Sequence, residues 1–182
     1  MTRPREIIEF WFGAKGEARK RWFQQSEAFD AEIRTRFGAA VERALSGDFA
    51  DWEKNAEGAL ALILLLDQFP RNIWRGSARA FSGDGRALVM ARRAIAAGFD
   101  RQRPELERVF FYLPFEHSED IADQRTSLRL MRTLADAEYC RYAEAHRDII
   151  VRFGRFPHRN AVLGRTSTPE ELEFLKQPGS SF

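Results

Sequence analysis

The chain has 182 residues and a formal charge of +2, from 29 lysines and arginines against 27 acidic residues. This length predicts one domain, and the near balance of charges argues against a nucleic-acid-binding protein that works through bulk positive charge. The single cysteine, Cys140, excludes an internal disulfide and a cysteine-based zinc knuckle.

The composition favours helices over strands. Alanine, leucine, glutamate and arginine make up 81 of the 182 residues, whereas valine, isoleucine and threonine make up 20. The longest apolar run, residues 59–66, is too short to span a membrane, and the N-terminus lacks the features of a secretory signal. We therefore expect an all-α protein in the cytoplasm, with no membrane partner.

Helix signals begin near the N-terminus. Thr2 is placed to cap a helix through Phe12, and Ser26 to cap a second helix that ends at Ser46-Gly47. An apolar stripe at intervals of four residues indicates the second helix, at Phe29, Ile33, Phe37, Val41 and Leu45.

One helix is expected on each side of a central loop. Residues 55–69 are apolar on nearly every side, which predicts a buried helix, and Pro70 marks its end or a kink. Residues 76–85 are rich in glycine and serine and predict the loop. Asp84 is expected to cap the next helix, which runs to Ala97.

Prolines and caps also divide the C-terminal half. A helix from Pro104 is expected to end at Leu113, because Pro114 lacks a backbone donor. The longest helical stretch begins at Ser118 and runs toward Phe153, with a division near residues 135–137.

A capping box over residues 168–171, Thr-Pro-Glu-Glu, begins the last helix. About eight helices joined by short turns predict stacked antiparallel hairpins. We expect a single all-helical domain over residues 1–177 and a frayed tail over residues 178–182.

Three polar segments beside structure-breaking residues are candidate sites, because loops held by a rigid scaffold carry many sites. The first is residues 67–72, Asp-Gln-Phe-Pro-Arg-Asn. Asp67 and Arg71 lie four residues apart and can pair if the helix continues. The alternative is a purely structural ion pair, with Asn72 capping a turn.

The second segment, residues 114–124, places His117 among four carboxylates, those of Glu116, Glu119, Asp120 and Asp123. Acidic neighbours favour the protonated histidine, which makes His117 a candidate proton donor. One histidine with scattered acids is not the ligand pattern of zinc, so we predict no metal site. Alternatively, Ser118 caps the following helix and the acids favour its positive end.

The third segment, residues 152–160, contains Arg155, His158, Arg159 and Asn160. Arginine binds carboxylate or phosphate with two parallel hydrogen bonds, so the segment is a candidate anion site. The alternative is a buried loop whose arginines satisfy the carbonyls at helix ends.

Five motifs together resemble one family. They are Leu-Asp-Gln-Phe-Pro-Arg-Asn at 66–72, Arg-Ala-Phe at 79–81, the ten residues 111–120, Arg-Asp-Ile-Ile at 147–150 and the nine residues 152–160. Through them, and from Ile7 to about Leu175, the chain is similar to the bacterial "domain of unknown function 924" family. The resemblance implies an all-α, tetratricopeptide-like fold. It implies no reaction and no cofactor, because the family has no established activity to carry over.

Our first hypothesis is a binding protein whose three polar segments meet on a concave face of stacked hairpins. Arg71, Arg155 and Arg159 would hold a small anionic molecule or an acidic peptide. The ligand-binding residues predicted from the sequence are Asp67, Arg71, Asn72, His117, Glu119, Arg155, His158, Arg159 and Asn160.

Two alternatives stay open at this point. A hydrolase would use His117 or His158 as general acid or base, oriented by Asp67 or Glu119. A structural network would fix the hairpin angles, and the working surface would bind a protein partner elsewhere. Residues 146–148, His-Arg-Asp, have the letters of the kinase catalytic triplet without its accompanying motifs and receive no role. The sequence assigns no catalytic residue and no oligomeric state, and its charge balance predicts no nucleic-acid partner.

Overall fold

The computed structural model describes residues 2–13, Trp22 and residues 25–181. These residues form helices and connecting turns without a β-strand, which confirms the all-α prediction. None of the helices in these ranges combines the length and the apolar character that crossing a bilayer needs. The tetratricopeptide-like arrangement of hairpins stays a prediction.

The α-helices are numbered here in chain order. They are α1 (Pro4–Phe12), α2 (Glu27–Ser46), α3 (Ala56–Ile63), α4 (Phe69–Ile73), α5 (Asp84–Ala96), α6 (Glu105–Glu116), α7 (Ile121–Met131), α8 (Ala137–Phe153) and α9 (Pro169–Leu175). Short 3-10 turns lie between several of them, at Ala50–Lys54, Ala78–Phe81, Asp100–Gln102 and Pro157–Arg159.

The chain divides into two compact units. Unit 1 comprises Met1–Arg75 and Arg79–Pro114, and unit 2 comprises Gly76–Ala78 and Phe115–Phe182. Unit 1 therefore holds α1 to α5 and most of α6, and unit 2 holds α7 to α9. The expectation of a single domain over residues 1–177 stays a prediction.

Several helix ends lie where local sequence signals predict them. The Ser26 hydroxyl accepts a hydrogen bond from the Phe29 amide, and Gly47 ends α2 in the left-handed conformation with φ 92°. Thr168 and Glu171 form the predicted capping box, because each side chain accepts from the other's amide. Residues 132–136 separate α7 from α8, as the predicted division requires.

Three predicted caps are wrong. Arg3 rather than Thr2 precedes α1, and its amide donates to Glu6. Asp84 is the first residue of α5 instead of its cap. Asp120 caps α7 through the Ala122 amide, whereas the Ser118 hydroxyl orders the preceding turn.

The two prolines that were expected to interrupt helices do not end them. Before Pro70 the chain widens into a π-helical turn, Leu64–Gln68, and then continues as α4. In this wide turn the Phe69 amide donates to the Leu64 carbonyl five residues earlier, and Pro70, which has no amide to donate, falls in the first turn of α4. Pro114 lies inside α6, so the prediction that α6 ends at Leu113 is wrong. Burial of Phe115 and Glu116, each 3% exposed, favours the continued helix over the proline preference.

Each unit has its own apolar core. In unit 1, α3 is buried on nearly every side, as its sequence predicts, and Trp11 packs against Phe69 and Phe110. In unit 2, α7 packs against α8, and Ile149, Ile150 and Phe156 form a buried cluster. The loop after α8 therefore belongs to the core through Phe156, which is 0% exposed.

Candidate functional site

The first predicted segment lies in unit 1, where Arg71 is neutralised by two carboxylates. Its guanidinium donates to both oxygens of Asp84, at 2.7 and 3.0 Å, and to the Asp67 carbonyl at 2.6 Å. Asp67 is fully buried, and its carboxylate lies 3.3 Å from the same guanidinium. Arg71 therefore joins the π-helical turn to the start of α5, which agrees with the structural alternative.

Gly83 allows this close approach of the two segments. A Cβ atom at residue 83 would lie 2.0 Å from the Leu66 carbonyl oxygen, so only glycine fits there without movement of the backbone. Asp84 follows Gly83 directly in the chain, and its ion pair with Arg71 stabilises the same contact.

Asn72 ties α4 to α2 and does not cap a turn. Its side-chain amide donates to Asp30 at 2.7 Å, and Arg75 donates to the same carboxylate at 2.9 and 3.0 Å. Asn72 is 8% exposed, so this contact is part of the packing between the helices.

In unit 2, Glu119 joins the second segment to the third. Its carboxylate accepts from Arg165, at 2.7 and 3.0 Å, and from the Phe156 amide at 2.8 Å. Burial alone would raise the pKa of Glu119, but the bonds from Arg165 and Phe156 lower it below the ordinary value. Arg165 also donates to the Asn160 side chain at 2.9 Å, so Glu119, Arg165 and Asn160 form one connected network.

Glu171 completes this network and is the partner of Arg155. Arg155 donates to both carboxylate oxygens, at 2.6 and 2.7 Å, and Asn160 donates to one of them at 3.2 Å. These bonds and the Thr168 amide hold the pKa of Glu171 at about 2, against the effect of burial. Arg155 was predicted to hold an anionic ligand, and the anion that it holds here is Glu171.

The low pKa of Glu171 predicts acid sensitivity of the fold. The ionised carboxylate of Glu171 contributes its full stabilisation above about pH 4.5, which is the ordinary pKa of a glutamate side chain. That stabilisation is lost as the pH falls toward 2. We expect Glu171→Gln to lose stability at neutral pH and to show a flatter stability profile between these two pH values. Urea unfolding at a series of pH values measures it, with the exposed neighbour Glu170→Gln as control. A wild-type slope in the Glu171→Gln variant would contradict the assignment.

Beside this network lies a set that we call the histidine cluster: His117, His146, His158 and Arg159, with the ring of Phe156. These are all three histidines of the chain. The ring centroids of His117 and His146 are 6.5 Å apart, and those of His146 and His158 lie 5.7 and 5.6 Å from that of Phe156. The Arg159 guanidinium lies 4.5 Å from the Phe156 centroid.

His146 is the most deeply buried histidine of the cluster, at 5% exposure. Its Nδ1 lies 2.8 Å from the Tyr142 carbonyl and 3.4 Å from Glu116, so Nδ1 carries the proton and donates to the carbonyl. Burial, followed by the positive charges of His117, Arg159 and His158, lowers the pKa of His146 to about 3. His146 is therefore neutral at physiological pH.

The predicted site residues fall into two groups. Asp67, Arg71 and Asn72 belong to unit 1, whereas the six others belong to unit 2. In unit 2 the second and third segments meet at Phe156, whose amide contacts Glu119 and whose ring contacts the histidine cluster. Across the described ranges, no group of three or more His, Cys, Asp or Glu side chains is arranged to hold a metal ion.

Comparison with known proteins identifies the family. The sequence pattern of the family described as "Bacterial protein of unknown function (DUF924)" matches residues 7–179. The chain belongs to this family. A solved structure of a protein of unknown function from Agrobacterium tumefaciens, ATU0120, is 45% identical and has a TM-score of 0.90. That likeness covers 95% of this chain and 96% of the other, and no curated protein matches the chain.

The DUF924 motifs of this chain contain His117, His158 and Arg159 of the histidine cluster. Sequence reasoning missed the fourth member, His146. It was set aside as part of a kinase-like triplet. The signal that could have found it is helical spacing. Tyr139, Ala143, His146 and Ile150 are separated by four, three and four residues, so His146 lies on the buried face of α8. A histidine in an otherwise apolar stripe needs a partner, and here the partner is the Tyr142 carbonyl.

Proposed function

We propose that the protein binds a small anion, through a phosphate or carboxylate group, at the histidine cluster of unit 2. The observation that carries the proposal is that His146, His158 and Arg159 surround the buried ring of Phe156. His117, the third histidine, lies against His146. Histidine and arginine bind such groups by charge and by hydrogen bonds.

The charges of the cluster favour an anion over a neutral ligand. Arg159 is always charged, and protonation of His117 or His158 adds positive charge near it. His146 feels the repulsion from all three of these side chains. A bound anion would offset that repulsion and would favour the protonated histidines.

The ion-pair network of Glu119 and Arg165 supports the proposal because it orders the loop that carries two of the anion-binding side chains. His158 and Arg159 lie on the 3-10 turn Pro157–Arg159, directly after Phe156. Glu119 accepts from the Phe156 amide, and Arg165 donates to the Phe156 carbonyl. A loop fixed on both sides loses little freedom when it binds a ligand. Arg155 and Arg165 are thus positioning residues in this proposal and not ligands.

The geometry gives less support to the hydrolase alternative, in which Asp67 or Glu119 would orient His117 or His158. The Asp67 carboxylate lies beside Arg71 in unit 1, and the Glu119 carboxylate accepts from Arg165 and the Phe156 amide. His146 and Glu116 make a histidine–carboxylate pair, but the Nδ1 proton is used by the Tyr142 carbonyl. A pKa of about 3 also makes His146 a weak base at neutral pH.

The proposal predicts that phosphate shifts the imidazole signals of His117 and His158. We expect a saturable change in their Cε1–H resonances on addition of phosphate. Arg159→Gln should weaken binding by about tenfold or more, because it removes one charge-assisted interaction.

Arg152→Gln is the matched control, since Arg152 lies in the last turn of α8 in the same unit but is 48% exposed and pairs with the exposed Glu170. Arg159→Lys keeps the charge and should retain part of the affinity. Equal phosphate affinity in Arg159→Gln and Arg152→Gln would reject the site. A response to a glutamate-rich peptide without one to phosphate would instead favour acidic-peptide binding.

A further inference from the structure

Unit 1 contains a cavity of about 210 Å³ that belongs to neither polar network described above. It lies between the C-terminal end of α2, the turn Ala50–Lys54, α3 with its π-helical extension, and α5. Its floor is apolar and buried, because Ala44, Leu62, Leu66 and Met90 are each at most 5% exposed.

An aromatic side chain forms one wall of the cavity. Phe49 is 6% exposed and stacks on Trp52 with ring centroids 4.2 Å apart. Val89 of α5 also lines the cavity and is 48% exposed. The cavity therefore combines buried apolar side chains with exposed ones such as Val89.

Two arginines of α5 stand at the rim. Arg86 and Arg93 are seven residues apart, so they share one face of the helix at a spacing of about 10 Å along its axis. Arg93 pairs with Glu53 at 2.8 Å. Within the described part of the chain, Arg86 donates to the Leu45 carbonyl and contacts no carboxylate. The rim thus has a net positive charge, concentrated at Arg86.

Gly47 makes room for the Arg86 side chain. A Cβ atom at residue 47 would lie 2.5 Å from Nη2 of Arg86, and the φ of 92° also favours glycine. The end of α2 therefore holds the guanidinium through the Leu45 carbonyl, beside the cavity that Arg86 lines.

We propose that this cavity binds a small amphipathic carboxylate, with its aromatic or short aliphatic part on the apolar floor and its carboxylate paired with Arg86. The volume fits this class, since a cavity of about 150 Å³ accommodates benzene and the remainder accommodates a carboxylate. Pockets for larger, drug-sized ligands begin at about 300 Å³, which excludes nucleotides and long acyl chains from complete burial. The site is independent of the histidine cluster, so either proposal can fail without the other.

The test uses benzoate and hexanoate as ligands and follows the methyl resonances of Leu62, Leu66 and Met90 by NMR. We expect saturable shifts at these methyl groups for both carboxylates. Benzyl alcohol, which keeps the ring and lacks the charge, should bind about tenfold more weakly, and acetate, which lacks the apolar part, should not perturb them.

Two variants and one control separate the contributions. Arg86→Gln should weaken benzoate binding by about tenfold and leave the affinity for benzyl alcohol unchanged. Val89→Phe should abolish binding of both, because a larger side chain on this exposed wall fills the cavity. Arg92→Gln, on the same helix but outside the cavity, should bind like the wild type. Absence of methyl shifts with either carboxylate, or equal benzoate affinity in Arg86→Gln and Arg92→Gln, would overturn the proposal.

Discussion

Replacing Phe156 by alanine is expected to lower the free energy of unfolding by about 3–5 kcal/mol, the usual cost of deleting a buried aromatic side chain. Phe156 is 0% exposed and packs with Ile149 and Ile150, which are 6% and 4% exposed. Its ring also supports His146, His158 and Arg159. The substitution therefore removes the most buried side chain of this apolar cluster in unit 2. It also removes the ring that three side chains of the histidine cluster contact.

Urea unfolding monitored by circular dichroism measures the loss of stability. Circular dichroism is used instead of tryptophan fluorescence because unit 2 holds no tryptophan. Phe156→Leu is the companion variant, because it retains most of the apolar volume and should cost about half as much. We expect Phe156→Leu to remain folded but to bind phosphate more weakly than the wild type, since an aliphatic side chain no longer supports the Arg159 guanidinium. A Phe156→Ala variant as stable as the wild type would show that the loop is not part of the core.

The sequence predicts those features of the fold that depend on neighbouring residues. Ser26, Gly47 and Thr168 act within one helical turn of the residues that they cap, so their roles follow from local spacing. Pro114 was misjudged because burial of the next two residues, which depends on the tertiary fold, outweighs the local preference. Asp84 was misjudged for the same reason, since its partner Arg71 lies 13 residues away.

The candidate site shows the same limit more strongly. The residue types and turns single out three segments in which arginine, asparagine or histidine stands beside glycine or proline, and the second and third of them meet at Phe156. The partners of those residues cannot be read from spacing, as Arg165 and Glu119 are 46 residues apart and Arg155 and Glu171 are 16 apart. Each pairing depends on the path of the loop after α8, which the tertiary packing of Phe156 helps to determine. An arginine that is available to a ligand and one that is neutralised by a distant acid therefore look alike in the sequence.

Arg71 is the clearest case in which these two roles can be separated by experiment. We expect Arg71→Met to lower the free energy of unfolding by about 3–5 kcal/mol, because it leaves the buried charge of Asp67 without its cation. The methionine keeps the apolar stem of the side chain, so the loss measures charge pairing rather than packing. Arg36→Met is the control, since Arg36 pairs with Glu32 on the exposed side of α2 and should cost less than about 1 kcal/mol.

The double variant Arg71→Met with Asp67→Asn decides why stability is lost. If the cost arises from an uncompensated buried charge, neutralising Asp67 should recover part of it, and the double variant will be more stable than the two single losses predict when added. Phosphate binding at the histidine cluster should be unchanged in the folded Arg71→Met protein, because the charge of Arg71 is already used by Asp67 and Asp84. Loss of phosphate binding with unchanged stability would instead return Arg71 to the ligand-binding role that its sequence motif suggests.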